Sequence, residues 1–159
     1  MKIPYVLLQV LSLLFLKGVY LENKLNINVL FESLCPDSLK FIREQLYPNW
    51  KDLAPYVNLK LVPFGKSASL EDGTFICQHG PQECKGNRIM SCALQTITDQ
   101  NLQVEYVNCF MDVFKKGRND PEEFGQLCSA QYGVDLNEMI KCYSSEEGTI
   151  LQLQAEKKY

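Results

Sequence analysis

Long blocks of like charge are missing from this sequence of 159 residues, whose formal net charge is −3. A protein that binds nucleic acid needs a basic face, so we expect no nucleic-acid partner. A run of about 20 apolar residues is also missing, which excludes an ordinary membrane-spanning helix. With 46% hydrophobic and 22% charged residues, the composition is that of a globular protein of one domain rather than a disordered or fibrous one.

Histidine is the scarcest catalytic residue type, since His79 is the single histidine in the sequence. A cysteine protease pairs its nucleophile with a histidine at spacings that differ between families. The position of His79 after Cys35 matches neither of the common spacings. We therefore do not expect protease activity.

The longest apolar segment covers residues 5–16 and is interrupted only by Gln9 and Ser12. Lys2 precedes it, and a short positive region followed by an apolar run of this length is typical of a secretory signal peptide. We expect residues 1–18 to be this signal peptide, with a buried N-terminal helix as the alternative. The mature protein would then be secreted or endolysosomal, reaching either place through the secretory pathway.

Seven cysteines follow the predicted signal peptide. Cysteines pair in an oxidising compartment, so seven of them imply three disulfides and one remaining thiol. We expect Cys35 to be this thiol because it lies at a predicted helix start. The expected disulfide partners, for which fifteen pairings are possible, are Cys77, Cys84, Cys92, Cys109, Cys128 and Cys142.

Two segments that alternate in hydrophobicity predict β-strands at residues 25–31 and 57–63. A helix of about ten residues is expected between them, after Cys35. Its apolar stripe consists of Leu39, Ile42 and Leu46. A strand, a helix and a strand of these lengths predict a right-handed crossover with a parallel strand pair.

The second half of the sequence is helical in pattern, after a segment at 65–82 that is predicted to be a loop. Five of the seven cysteines lie on the predicted helices, which indicates a helical module held together by disulfides. The segment 149–154 is predicted either as one short strand or as further helix. The other helices are predicted near residues 83–99, 102–116, 121–131 and 135–144.

The first chemical motif is Cys35-Pro36-Asp37-Ser38, which follows the first strand and opens the first helix. A thiol at a helix N-terminus faces unpaired N–H groups and the positive end of the helix dipole, which favours the thiolate. The thiolate is the species that attacks a disulfide. Asp37 opposes this effect, because a nearby negative charge disfavours the thiolate. Cys35 is thus a candidate nucleophile, with an ordinary disulfide-bonded cysteine as the alternative.

The second motif covers residues 77–92, with the sequence CQHGPQECKGNRIMSC. Its cysteines are close enough in sequence to connect a loop to the helix that follows. Three cysteines and a histidine can also bind zinc, but the irregular spacing and the oxidising compartment disfavour this, so we expect no metal and no other cofactor. His79 is either a base for Cys35 or a hydrogen-bonded loop histidine.

This stretch resembles the signature of the gamma-interferon-inducible lysosomal thiol reductase family, which is CQHG, two residues, EC, two residues, N, four residues and C. Eight fixed positions make the signal specific, and the resemblance covers roughly residues 25–145. It implies a thioredoxin-like α/β fold with a helical insertion, and reduction of disulfides in the endocytic or secretory pathway. It places Cys35 on the catalytic nucleophile and Ser38 on the resolving cysteine.

The sequence departs from the family pattern at three points. Ser38 replaces the second active-site cysteine. Thioredoxin-like proteins continue after the insertion with a cis-proline loop, two strands and a helix, whereas Pro121 is the last proline here. No Asn-x-Ser/Thr sequon offers an N-glycan for lysosomal delivery. We therefore predict one thioredoxin-like domain at 25–159, with an incomplete sheet and a disulfide-stapled helical insertion at about 80–145.

Two functions of different classes follow from these observations. The first is a thiol–disulfide oxidoreductase that acts through Cys35 alone, with disulfide-containing proteins as substrates and a small-molecule thiol as reductant. The alternative is a catalytically inactive secreted binding protein that keeps the helical module, which Ser38 favours. Exposed edges of a small sheet also predict self-association.

Overall fold

The parallel strand pair predicted from hydrophobic alternation is present. The structure, a computed structural model, describes residues 24–116 and 120–158, so the predicted signal peptide lies outside the described residues. Strand β1 (Leu25–Phe31) pairs in parallel with β2 (Val57–Pro63), and both have the predicted bounds. The side chains of β2 alternate between buried and exposed at its start, as its sequence pattern predicts.

The connection between β1 and β2 is helical over a longer stretch than the ten or so residues predicted. It consists of α1 (Pro36–Phe41), a π-helical turn (Ile42–Leu46) and α2 (Tyr47–Leu53). Pro48 lacks the N–H that an α-helix would direct to the carbonyl of Glu44, and the wider π turn lies directly before it. The buried side chains of this connection are Ile42, Leu46 and Trp50.

In the described part of the second half, at 81–116 and 120–158, there are five further helices. Most begin with a residue whose side chain accepts a backbone N–H of the first turn, as Asp120 does for Glu122 at 3.0 Å. The last of them covers the segment 149–154, so the strand alternative is wrong there and the helix alternative is correct. The helices are α3 (Pro81–Thr96), α4 (Gln100–Lys115), α5 (Pro121–Tyr132), α6 (Leu136–Tyr143) and α7 (Glu146–Glu156).

A short antiparallel hairpin lies in the segment for which the sequence predicts only a loop. Its strands are β3 (Ala68–Ser69) and β4 (Phe75–Ile76), and two residues are too few to show alternation. The backbone N–H and the hydroxyl of Ser69 donate to the carboxylate of Glu156, at 2.9 and 2.7 Å. The hairpin is therefore attached to the end of α7.

The core lies where α3, α4, α5 and α6 meet β2 and the helical connection. Phe110 and Phe124 pack edge to face there, with their ring centroids 5.3 Å apart. Three disulfides reinforce this half of the molecule. They join Cys77 to Cys84, Cys92 to Cys142, and Cys109 to Cys128.

One edge of β2 is partly covered by side-chain amides. Gln100 Nε2 donates to the carbonyl of Leu59 at 2.7 Å, and Gln152 Nε2 donates to the carbonyl of Pro63 at 3.2 Å. These amides bond to carbonyls that a further strand would otherwise use. The result is a helix-rich α/β architecture with two small sheets, and self-association through a sheet edge stays a prediction.

Candidate functional site

Cys35 lies at the junction of β1 and α1 and is the unpaired residue among the seven cysteines, all of which the structure describes. Its backbone is extended, and its carbonyl accepts the N–H of Leu39 at 2.9 Å, which begins the helix. Pro36 occupies the first helical position, where a missing N–H costs nothing. The half-buried side chain faces a cleft of about 660 Å³.

Ser38 lines the same cleft, in the first turn of α1. Its hydroxyl oxygen accepts the backbone N–H of Glu32 at 3.1 Å. That N–H lies just beyond the end of β1, so the serine has a structural role besides its position next to Cys35. A hydroxyl has no redox chemistry of its own, which leaves Cys35 as the sulfur nucleophile available in this cleft.

Glu32 is a site residue that the sequence pattern did not single out. It is only 3% exposed, and its Oε1 accepts the backbone N–H of Lys66 at 3.2 Å. Burial raises the pKa of Glu32, the negative charge of Glu83 raises it further, and the contact with Lys66 opposes both. The available signal was a carboxylate at the end of a strand, three residues before a candidate nucleophile.

Gly65 makes room for the Glu32 side chain. Its φ is +52°, and a Cβ at this position would lie 2.3 Å from Cγ of Glu32. Both the backbone conformation and the close contact require glycine. The loop after β2 therefore covers the buried carboxylate.

His79 is held by two hydrogen bonds to one carboxylate. Its backbone N–H donates to Oε1 of Glu83 at 2.8 Å, and Nδ1 lies 2.7 Å from Oε2. This hydrogen bond engages Nδ1 and leaves Nε2 as the ring nitrogen without a bond to Glu83. Glu83 is fully buried in the first turn of α3, whereas the side chain of His79 is 33% exposed.

The remaining signature positions attach α3 to the loop that leads into Cys35. Ser33 donates from its backbone N–H to Asn87 Oδ1 at 2.7 Å and from its hydroxyl to the Glu83 carbonyl at 2.9 Å. A Cβ on Gly86 would lie 2.4 Å from the hydroxyl oxygen of Ser33, so even alanine would clash at this position. The spacing of Glu83 and Asn87 places both on one face of α3. The two chemical motifs, distant in sequence, thus form a single site.

Three ligand types converge at Cys35. A carboxylate oxygen of Glu32, the sulfur of Cys35 and a ring nitrogen of His79 all lie within 4.8 Å of one another. His79 is therefore a hydrogen-bonded loop histidine that also lies near the nucleophile. The alternative zinc site formed by the cysteines of residues 77–92 is wrong, because each of these cysteines is disulfide-bonded.

One structural observation and one sequence comparison concern the chain as a whole. In residues 24–116 and 120–158, no helix is long and apolar enough to cross a membrane. The sequence model of the family described as gamma interferon inducible lysosomal thiol reductase (GILT) matches residues 26–132.

Individual relatives agree with this match. The chain is 42% identical to GILT-like protein 1 of Drosophila melanogaster over 152 residues, covering 86% of this chain and 60% of the relative. It is 38% identical over 148 residues to the gamma-interferon-inducible lysosomal thiol reductase-like protein of Anopheles gambiae, covering 85% and 61%. It is 32% identical over 138 residues to the gamma-interferon-inducible lysosomal thiol reductase of Carassius auratus, covering 83% and 52%. The chain thus spans about half to three-fifths of these relatives' lengths.

Proposed function

This chain belongs to the gamma interferon inducible lysosomal thiol reductase family, and we propose that it is a thiol–disulfide oxidoreductase that acts on protein disulfides through Cys35 alone. The observation that carries this proposal is the setting of Cys35. It is the free cysteine of seven, and it faces an open cleft next to a histidine and a buried carboxylate.

The reaction begins when the Cys35 sulfur, as a thiolate, attacks one sulfur of a substrate disulfide. An S–S bond forms between Cys35 and the substrate, and the substrate's own S–S bond breaks. The departing sulfur takes up a proton and becomes a thiol. His79 has a ring nitrogen within 4.8 Å of the Cys35 sulfur, so it can take up the thiol proton and return it to the departing sulfur.

The second half of the cycle requires a thiol from outside the protein, because Ser38 cannot attack the mixed disulfide. A small-molecule thiol attacks the Cys35 sulfur, which releases the reduced substrate and leaves the small molecule on Cys35. A second molecule of this thiol then frees Cys35. Two small thiols are thereby oxidised to one disulfide, which balances the two electrons gained by the substrate.

We further propose that the strand–helix–strand unit and the helical module form one thioredoxin-like domain at 25–159, with the insertion at about 80–145. We also propose that residues 1–18 direct the chain to the secretory pathway, for secretion or endolysosomal delivery. Three disulfides support an oxidising compartment.

A binding protein without catalysis is the second candidate function. The observation that favours it is the hydrogen bond between Ser38 and the N–H of Glu32, which gives the serine a structural reason to be present. In such a protein the disulfide-bonded helices would supply the interaction surface. The two candidates differ in whether Cys35 forms covalent adducts.

The test uses a fluorescent protein disulfide as substrate, with and without glutathione. We expect wild type to accumulate an adduct that thiols release and to turn over slowly unless glutathione is added. Ser38→Cys should release its first substrate without accumulating the adduct, because the second thiol lies one helical turn from Cys35 and forms a disulfide with it. It should turn over several times only when glutathione reduces that internal disulfide. Ser38→Ala controls for loss of the Glu32 hydrogen bond, and Cys35→Ser should form no adduct. Folded wild type without adducts, together with an inactive Ser38→Cys, would leave the binding protein as the better description.

A further inference from the structure

Glu32, Cys35 and His79 offer one carboxylate, one sulfur and one imidazole within 4.8 Å of one another. We propose that these three residues form a binding site for Zn²⁺. Zinc takes sulfur, nitrogen and oxygen ligands together, whereas Mg²⁺ and Ca²⁺ prefer oxygen ligands alone. The mixed set therefore favours zinc over Mg²⁺ and Ca²⁺.

The histidine already has the partner that zinc-binding histidines usually have. Glu83, fully buried, accepts from Nδ1 of His79 at 2.7 Å and from its backbone N–H at 2.8 Å. A carboxylate on the far nitrogen fixes the tautomer and leaves the lone pair of Nε2 for a metal. This arrangement does not depend on the chemistry of Cys35, so it is a separate observation in favour of the site.

The carboxylate ligand is equally well held. Glu32 is 3% exposed, and the backbone N–H of Lys66 binds one of its oxygens at 3.2 Å. Gly65 packs against its Cγ, which restricts the side chain to this position. The buried carboxylate of Glu83, bonded to His79, adds a second negative charge that acts on Glu32, and a divalent cation complements this charge.

The spacing requires only a small contraction. Ligand atoms around tetrahedral zinc lie about 3.5 Å apart, given bonds of about 2.0 to 2.3 Å. The three atoms here lie within 4.8 Å of one another, so no pair has to approach by more than about 1.3 Å. Three protein ligands leave a fourth position, and the cleft of about 660 Å³ offers space for a water or a substrate atom there.

Zinc binding would convert the Cys35 thiol to a zinc-bound thiolate and release its proton to solvent. A sulfur bound to zinc is not free to attack a disulfide. Occupancy would therefore inhibit the exchange reaction reversibly, and this consequence alone rests on the proposed function. The binding site itself stands on its three ligands.

The test titrates the folded chain, with its three disulfides intact and Cys35 reduced, with Zn²⁺ alone in a calorimeter. We expect one Zn²⁺ per chain, with binding reversed by a chelator. Co²⁺ should give the absorption bands of a tetrahedral site with a thiolate ligand. Cys35→Ser and His79→Ala should each weaken binding at least about tenfold, and so should Glu83→Gln through the orientation of His79.

Glu32→Gln has a matched control in Asp37→Asn, because both remove one negative charge from the same cleft. Glu32→Gln should weaken zinc binding at least about tenfold, and Asp37→Asn by less than about threefold. Equal losses in these two variants, or undiminished binding by folded Cys35→Ser, would overturn the site. Circular dichroism and the disulfide count identify a variant that fails to fold, in which case His79→Gln and the Co²⁺ spectrum of wild type decide.

The two proposals fail separately. Zinc binding without any disulfide adducts in zinc-free protein would overturn the oxidoreductase and leave the zinc site standing. Adduct formation that Zn²⁺ does not inhibit, with no heat of binding, would overturn the zinc site and leave the oxidoreductase standing.

Discussion

The two halves of this molecule are stabilised in different ways. The strand–helix–strand unit, residues 25–63, contains a single cysteine, and it is free. The region from 77 to 156 contains the other six, paired in three disulfides that connect its helices to each other and to the loop before α3. Covalent bonds thus hold the helices, and noncovalent contacts hold the unit that presents the reactive sulfur.

Packing and hydrogen bonds join the two halves both beside Cys35 and farther away. Asn87 and Glu83 bind Ser33 beside Cys35, while Gln100 and Arg43 make contacts farther away, with Leu59 and Asp112. The signature of residues 77–92 therefore has two structural roles. Its cysteines contribute to the disulfide framework, and its polar residues position the loop of the nucleophile.

Disulfide removal should have the largest effect on stability and should separate the halves most clearly. In a Cys35→Ser background, which prevents reshuffling, we expect the double variant Cys92→Ala/Cys142→Ala to lose about 4 kcal/mol of unfolding free energy. The bridge between Cys77 and Cys84 should contribute only about 2 kcal/mol, because it closes 7 residues rather than 50. Urea unfolding measures both, and equal losses would show that loop closure does not set the order.

Gly65→Ala tests the packing of the loop over the site. The added Cβ would meet Cγ of Glu32 at 2.3 Å, and we expect a loss of about 3 kcal/mol from positive φ and the clash together. Gly73→Ala is the matched control, because its φ is also positive at +80° but no atom lies within 4 Å of the added Cβ. It should lose about 1 kcal/mol. If thermal melts gave equal losses of stability for the two variants, the close contact with Glu32 would not contribute to the loss at Gly65.

Asn87→Ala tests the hydrogen bond that joins the halves. It leaves the buried N–H of Ser33 without its partner, which should lower the unfolding free energy by about 2 kcal/mol. The rate at which the Cys35 thiol is alkylated should also change, since Ser33 lies two residues away. The control Asn58→Ala removes an exposed bond to Asn26 and should cost less than about 0.5 kcal/mol. If Asn87→Ala were as stable as this control, the hydrogen bond between Asn87 and Ser33 would not stabilise the contact between the halves.

The smallest effect concerns pH. The pKa of Glu32 is raised by burial, so the folded state holds this proton more tightly than the unfolded state. The associated stability is present below the unfolded pKa of about 4.3 and is lost as pH rises through the raised folded value. Glu32→Gln should remove this decline, which begins as pH rises above the unfolded pKa.

Glu122 provides the opposite case in the helical module. Hydrogen bonds from Lys85 and Tyr143 lower its pKa, so its contribution is present above the unfolded value and is lost as pH falls through the folded one. Glu122→Gln should therefore reduce stability at neutral pH and less so in acid. Urea midpoints measured at several pH values compare the two variants, and slopes of the same sign would contradict the assignment.

The local pattern of hydrophobic residues in the sequence predicted much of the fold. Alternation in residues 25–31 and 57–63 predicted both long strands at their observed bounds. Alternate side chains are buried at the start of β2, and in the middle of β1 the apolar side chains are less exposed than Asn28 between them. Helical periodicity predicted most of the second half. The sequence pattern did not predict the hairpin at Ala68–Ser69 and Phe75–Ile76, because strands of two residues are too short to show alternation. It also did not predict that the first helical segment continues to Leu53, because a proline within a helix is a misleading local signal.

The sequence by itself determined the family, the odd cysteine and the candidate nucleophile, because these depend on residue identity and spacing along the chain. Only the tertiary structure decided how the other six cysteines pair. It also decided that Glu32 and His79 lie close to Cys35. Glu32 and His79 come from the end of a strand and from a loop before α3, and they converge through contacts such as that of Ser33 with Asn87, 54 residues apart. No local pattern records such contacts, because their free energy depends on how distant segments pack.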